Sequence, residues 1–337
     1  MHLYVPNYRN PAQARYRFNR EGAEFIQALP GPADVAVGTR SLESHTGEGY
    51  NTALGACALR TTTTANHNIA VGFQALELNT TGNLNVAVGS FAGKNTSTGT
   101  ENVFIGYTAG NNNTTGIRNV AVGARALCSN TGAGRQNVAV GSFALCSNTV
   151  GYSNVAVGQG ALLSNISAIY NTAMGHEALL ANTVSGNTAV GFWSAKCNTS
   201  GTGLVAVGIC ALCANTTGIN NTAVGKASLL NNTTGSYNTA VGKDSLLSNT
   251  TGCFNSAFGQ VALWCNTTGT GNTAFGSNSL MFNTTGYCNT AIGYQTLQTN
   301  TTGYHNTAVG TWALYCNTIG TSNVGVGSLA LSSNTTG

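Results

Sequence analysis

Ten cysteines, nine carboxylates and five histidines are the residues of this 337-residue chain that could do chemistry, and their spacing gives them little to do. Only Cys210-Ala-Leu-Cys213 has the spacing of a redox or zinc half-site, and no second pair stands at zinc distance from it. His176-Glu177 is a lone dipeptide, not the two-histidine helix motif of zinc hydrolases. Glu21 and Glu24 share the N-terminal segment, where a helical surface accounts for them better than acid/base catalysis. No glycine-rich stretch runs into the Lys-Ser/Thr of a phosphate loop. The expectation is a chain without enzymatic activity, cofactor or metal.

The elements that hold these residues are repeats. A five-residue unit of the Asn-Thr-Ala-Val-Gly type starts at Asp34, Asn51, Asn68, Asn85, Asn102, Asn119, Asn137, Asn154, Asn171, Asn187, Leu204, Asn221, Asn238, Asn255, Asn272, Asn289, Asn306 and Asn323. The spacing is 17 residues except for one step of 18 (Asn119 to Asn137) and one of 16 (Asn171 to Asn187). Counted from that first residue, position one is Asn in sixteen units of eighteen and position two is β-branched except at Ser256. Position three is Ala except at Phe104 and Gly325, position four is apolar, and position five is always Gly. Position eight is small, position nine is Leu in fifteen units, and Asn-Thr-Thr-Gly or a relative follows.

This profile predicts an all-β chain. Positions two to four read as a short strand with two different faces. The Gly at position five marks a place where a Cβ would obstruct a turn or a close neighbour. A second short strand carries the Ala-Leu pair, and Asn-Thr-Thr-Gly closes the circuit with residues that tolerate left-handed backbone. Seventeen residues are too few for a helical repeat and fit one coil of a parallel β-solenoid. Eighteen coils stacked at ~4.8 Å would make a rod of roughly 85 Å. Residues 34–337 form this array and residues 1–33 a separate capping or docking segment. The interior is expected to take position four and Leu at nine. The Ala row at position three either fills a narrow interior or lets another surface approach closely; the second alternative puts three chains about a common axis along that row.

The same columns sort the remaining candidates. Cys128 and Cys146 both stand at position ten of adjacent units, and Cys197 and Cys213 are nearly stacked. Adjacent coils bring such residues within disulfide range, so staples form in an oxidising compartment and thiols persist otherwise. Asn-x-Ser/Thr sequons recur at the turn, at Asn79, Asn113, Asn215, Asn232, Asn249, Asn266, Asn283, Asn300 and Asn334. They are candidate glycan acceptors, set against the reading that Asn and Thr are there for turn geometry and stacked hydrogen-bond ladders. The adjoining threonines offer O-linked positions.

Asn137-Val-Ala-Val-Gly141, followed by small residues and a Gly/Asn/Thr turn, resembles the head repeats of trimeric autotransporter adhesins and the related Asn-Thr-Ala-Val-Gly arrays of viral tail-fibre-like proteins. The resemblance covers residues 34–337. It implies a left-handed parallel β-roll, a homotrimeric rod, and a role in attachment or in spacing an attachment tip. The unit is longer than the adhesin one, and no sustained heptads or anchor barrel follow, which points to a viral fibre or a free extracellular filament.

Composition narrows the partners. Charged residues make up 7% of the chain, and none lies beyond Asp244, so no phosphate-neutralising stripe for nucleic acid exists there. No run approaches the roughly 20 apolar residues of a membrane span. The first residues lack the apolar centre of a secretion signal. Residues 1–33 are rich in Arg and aromatics; Arg15, Tyr16, Phe18, Phe25 and Ile26 are the expected assembly contacts. Gly337 leaves an open coil edge, which would suit a head-to-tail polymer. A structural fibre on a virion or cell exterior is the leading expectation. An adhesin that binds a receptor or glycan through exposed aromatics such as Phe73, Trp193, Trp264 and Trp312 is the alternative. An ice-binding solenoid ranks third, because the pattern puts position two on the same buried face as position four.

Overall fold

A computed structural model describes residues 33–47 and 49–337. These residues fall into two compact units that divide after Asn154. Each unit is a parallel β-solenoid, and no helix occurs among the described residues. The first unit carries seven three-residue strands, from β1 (Val35–Val37) to β7 (Val138–Val140). The second carries eleven, from β8 (Val155–Val157) to β18 (Val324–Val326). Within a unit each strand pairs in parallel with the next, and like residues fall on like residues: Ala53 on Ala70, Ala223 on Ala240. The β-solenoid expected from the period is therefore the fold.

The two irregular steps are absorbed in the turn. Across the 18-residue step, Val120 still pairs with Val138. The extra residue lies inside the turn, where Asn130 Nδ2 donates to the carbonyl four residues on (Gly134, 3.1 Å) instead of three. Across the 16-residue step, Thr188 still pairs with Thr172. There Asn182 Nδ2 donates to Val184, two residues on, at 2.7 Å. Strand register is kept and the turn gives way, since a one-residue slip would send every side chain to the opposite face.

Three expectations are corrected. First, each coil has one strand, not two; the Ala-Leu segment is a run of turns. Second, left-handed backbone is not at Asn-Thr-Thr-Gly but at positions seven, nine and seventeen, as in Gln74 (φ 55°), Leu246 (φ 49°) and Tyr237 (φ 58°). Positions eight and nine both point inward, as with Ala75 and Leu76, each fully buried. An extended strand cannot bury two consecutive side chains on one side. A left-handed residue at nine breaks the alternation, at a cost of about 1–2 kcal/mol that burial of the Leu offsets.

Third, the strand faces are the reverse of those expected. Position three is the inward one: the Ala residues from Ala36 to Ala308 are fully buried within a single chain. Positions two and four face out, as in Ile69 and Val205 at position two or Leu54 and Met174 at position four. The Ala row fills a narrow interior and cannot be the axis about which three chains pack. The opposite wall already supplies Leu at nine, Asn at one and twelve, and a small residue at eight, so only a methyl fits between.

Phe104, at position three of the coil carrying β5 (Val103–Ile105), shows how tight this interior is. Its ring occupies the space left by two missing leucines, Gly93 and Gly110, both at position nine. A Cβ on Gly93 would lie 2.6 Å from that ring, and one on Gly110 2.7 Å from its Cγ. Position five behaves as expected: a Cβ on Gly72 (φ 135°) would sit 2.5 Å from the Gly89 carbonyl oxygen of the next coil.

Candidate interaction face

Two asparagine columns form the polar frame of each coil. At position one, the backbone N–H and Nδ2 both donate to the Oδ1 of the coil before, as Asn85 does to Asn68 at 2.9 and 3.2 Å. The second Nδ2 proton goes to the Gly carbonyl of its own turn, Gly99, at 2.8 Å. At position twelve, Nδ2 donates to its own turn and to the preceding Oδ1: Asn249 to Gly252 at 3.0 Å and to Asn232 at 2.8 Å. A third ladder runs through the threonine hydroxyls, with Thr233 Oγ1 donating to the Thr250 carbonyl at 3.1 Å. Every side-chain bond between coils in the two asparagine columns points from a coil to its predecessor, so the frame is directional.

The sequons belong to this frame. Asn79, Asn113, Asn215, Asn232, Asn249, Asn266, Asn283 and Asn300 are all at position twelve and all fully buried. Their amide nitrogens are committed as donors inside the coil, from Asn79 to Gly82 at 2.9 Å to Asn300 to Asn283 at 2.8 Å. The folded coil presents none of these eight to a glycosylating enzyme; they serve as ladder rungs.

Cys128 and Cys146 are joined as a disulfide between adjacent coils, with their Cα atoms 5.0 Å apart. Cys197 and Cys213 lie on adjacent coils, with the Cys197 N–H donating to the Cys213 carbonyl at 3.1 Å, and remain free thiols. Burial pushes the Cys213 thiol up to about 11, with the nearby Cys197 and Cys210 acting in the same direction. Burial also raises Cys265. Raised thiols are poor nucleophiles at neutral pH. Among the described residues no group of three or more His, Cys, Asp or Glu could hold a metal ion. No helix among them is long and apolar enough to cross a membrane. Arg15, Tyr16, Phe18, Phe25 and Ile26, with Glu21 and Glu24, lie outside the described residues.

Charge is used between coils. Glu77, nearly buried, takes Arg60 at 2.8 Å from one side and Lys94 at 3.6 Å from the other, all three at position ten. Glu177 meets Lys196 at 2.7 Å, and that hydrogen bond holds its carboxyl below the ordinary carboxylate range while it raises the lysine.

What the frame leaves outside is a strip of strand residues, two per coil. In the first unit positions two and four are aliphatic at every coil except for Thr52, for example Val86 and Val88 or Val103 and Ile105. Phe73, Phe91 and Tyr107 lie beyond position five and pack edge to face at 5.3 and 6.0 Å. In the second unit position two is mostly Thr, and position four includes Phe258 and Phe275, 5.6 Å apart. No charged side chain stands at position two or four of any coil. The objection that placed an ice-binding face last falls away, since position two is outward. Sequence reasoning missed this strip because it put position four inside. The usable signal was Phe104 with its two glycines, which shows that position three faces Leu at nine.

No family model, no curated protein and no solved structure matches this chain.

Proposed function

We propose that the chain is a non-enzymatic building block of an attachment fibre outside the cell or on a virion, and that three copies associate side by side through the outward strand face. The carrying observation is that strip: uncharged and continuous through the coils of each unit, almost wholly aliphatic in the first and pairing Thr with an apolar residue in most coils of the second, while the interior behind it is already complete. Its seven coils in the first unit amount to a strip ~34 Å long, and the eleven of the second ~53 Å. Monomers seldom leave a contiguous apolar patch like that of the first unit without a partner. The partner needs the same coil spacing and the same lack of charge, which a second copy supplies. The inter-coil disulfide supports an oxidising setting.

The test is the mass in solution. Three chains of 34.3 kDa give about 103 kDa, independent of concentration, by light scattering. Val88→Lys with Val122→Lys should return the mass to one chain without loss of β circular dichroism. A wild-type protein that stays at the single-chain mass ends the lateral reading.

One observation favours direct ligand binding as a second reading. Gln295, Trp312, Tyr315, Cys316, Ser332 and Ser333 line an open groove of about 320 Å³ in a stretch of chain without charges. A neutral ligand with an apolar face and hydroxyls, such as a sugar ring, would suit it. Trp312 fluorescence titrated with neutral monosaccharides tests this, and an unchanged spectrum rejects it.

A further inference from the structure

The asparagine columns begin on two residues that are not asparagine. Position one of the first coil is Asp34 and position twelve is His45. Asp34 Oδ1 does what the Asn Oδ1 does in most coils of the column: it accepts from the N–H of Asn51 at 2.9 Å and from its Nδ2 at 3.3 Å. Its other oxygen faces His45 Nε2 at 3.3 Å, and both side chains are fully buried. Seventeen residues earlier, where another unit would start, the sequence reads Arg17-Phe18-Asn19-Arg20-Glu21, which is not the unit.

The direction of the columns explains the exchange. An Asn in the interior of a column needs two acceptors for its amide protons, one in its own turn and one on the coil before. An Asn at the head would keep one buried proton without an acceptor, and buried unsatisfied donors are costly. A carboxylate can receive both bonds from the second coil and brings no proton that needs a home. It does bring a second oxygen, and that oxygen faces the Nε2 of His45, where the other column would begin.

We infer that the Asp34–His45 pair is a stop for the ladder. It closes the first coil against a further coil of the same kind, and in particular against the coil of a second copy stacked end to end. Such a coil would offer an Asn Oδ1 and find a carboxylate where an interior coil presents a side-chain amide, with the backbone N–H as the one donor left, as at Leu204. Growth by head-to-tail stacking on this face is therefore disfavoured, and association is left to the sides. This inference does not depend on the lateral trimer, because side-by-side assembly gives a fixed mass and end-on stacking an open series.

Two variants of the full chain test it. Asp34→Asn keeps the accepting oxygen, so the bonds from Asn51 survive, and only the added donor and lost charge differ. Amide hydrogen exchange in residues 34–47 should quicken by about tenfold or more, with coils beyond Asn85 unchanged. Unchanged exchange would overturn the inference, since a donor at the column head would then be harmless. Asp34→Asn with His45→Asn gives both columns the heads of an interior coil. Its mass should climb with concentration in sedimentation velocity, beyond any fixed multiple reached by wild type. A double variant that matches the wild-type mass across the same concentrations would overturn the claim that the pair blocks stacking. Circular dichroism of the remaining coils shows that neither variant has simply unfolded.

Discussion

The two units are built from one coil yet specify their registers differently. In the first, position ten reads Glu43, Arg60, Glu77, Lys94, Asn111 and then the Cys128–Cys146 disulfide. In the second, the same position reads mainly apolar, with Leu163, Leu180, Leu230, Leu247, Trp264 and Met281. The consensus alone cannot choose a register. A slip by one whole coil puts Asn on Asn, Ala on Ala and Gly on Gly. Alternating charges oppose such a slip by setting like against like, a covalent staple forbids it, and Phe104 fits only between Gly93 and Gly110. The second unit carries no such column of opposed charges; its asparagine and threonine ladders run through coils so alike that they support any register equally. The lesson is that the residues that build a coil and those that order the coils are different sets.

Four measurements break or sharpen this contrast. The largest effect should come from Phe104→Ala, which leaves a ring-sized cavity and should cost about 3–5 kcal/mol in denaturant unfolding of the first unit. Adding Gly93→Leu and Gly110→Leu rebuilds the consensus interior and should recover most of it; Gly110 already has the left-handed backbone (φ 58°) that Leu adopts at position nine elsewhere. If the triple variant is no better than the single one, the ring and the two glycines are not a matched set.

Next, Cys128→Ser with Cys146→Ser opens a closure of 18 residues and should lower stability by about 3 kcal/mol. The same pair of changes at Cys197 and Cys213, which are free thiols, should be nearly silent in the thermal melt. Third, Glu77→Gln removes the charge between Arg60 and Lys94 and should cost about 1.5–3 kcal/mol. Met281→Gln at the same position in the second unit tests whether charge or mere polarity matters; a loss as large as that at Glu77 would erase the contrast.

The smallest effect is electrostatic and belongs to the second unit. The Glu177 carboxyl is held below its ordinary 4.5 by the Lys196 hydrogen bond. Its contribution is fully present above about 4.5 and is lost as pH falls through the lowered folded value. Lys196 is raised above its ordinary 10.5, so its share is present below that value and is lost as pH rises through the folded one. The pair is partly solvated and should be worth less than about 1 kcal/mol, read as a shallow acid limb in the melt that Lys196→Met abolishes.

Much of this was legible in the chain. The 17-residue period named the coil, and a glycine at position five in every unit marked the place where backbone meets backbone. Cys128 and Cys146 could be placed in one column by counting. The sequons show the opposite case: Asn-Thr-Thr looks the same on a surface loop and in a buried ladder, and only packing shows the amide fully enclosed.

By itself, then, the sequence determined the repeat, the parallel stacking of like on like, and the division of each strand into two unlike faces. Which face turned inward was decided only in three dimensions. Alanine is small enough for either side, and its place depends on how much room the facing wall leaves. That wall is set by a left-handed leucine and two asparagine amides, brought opposite the strand only once the coil has closed.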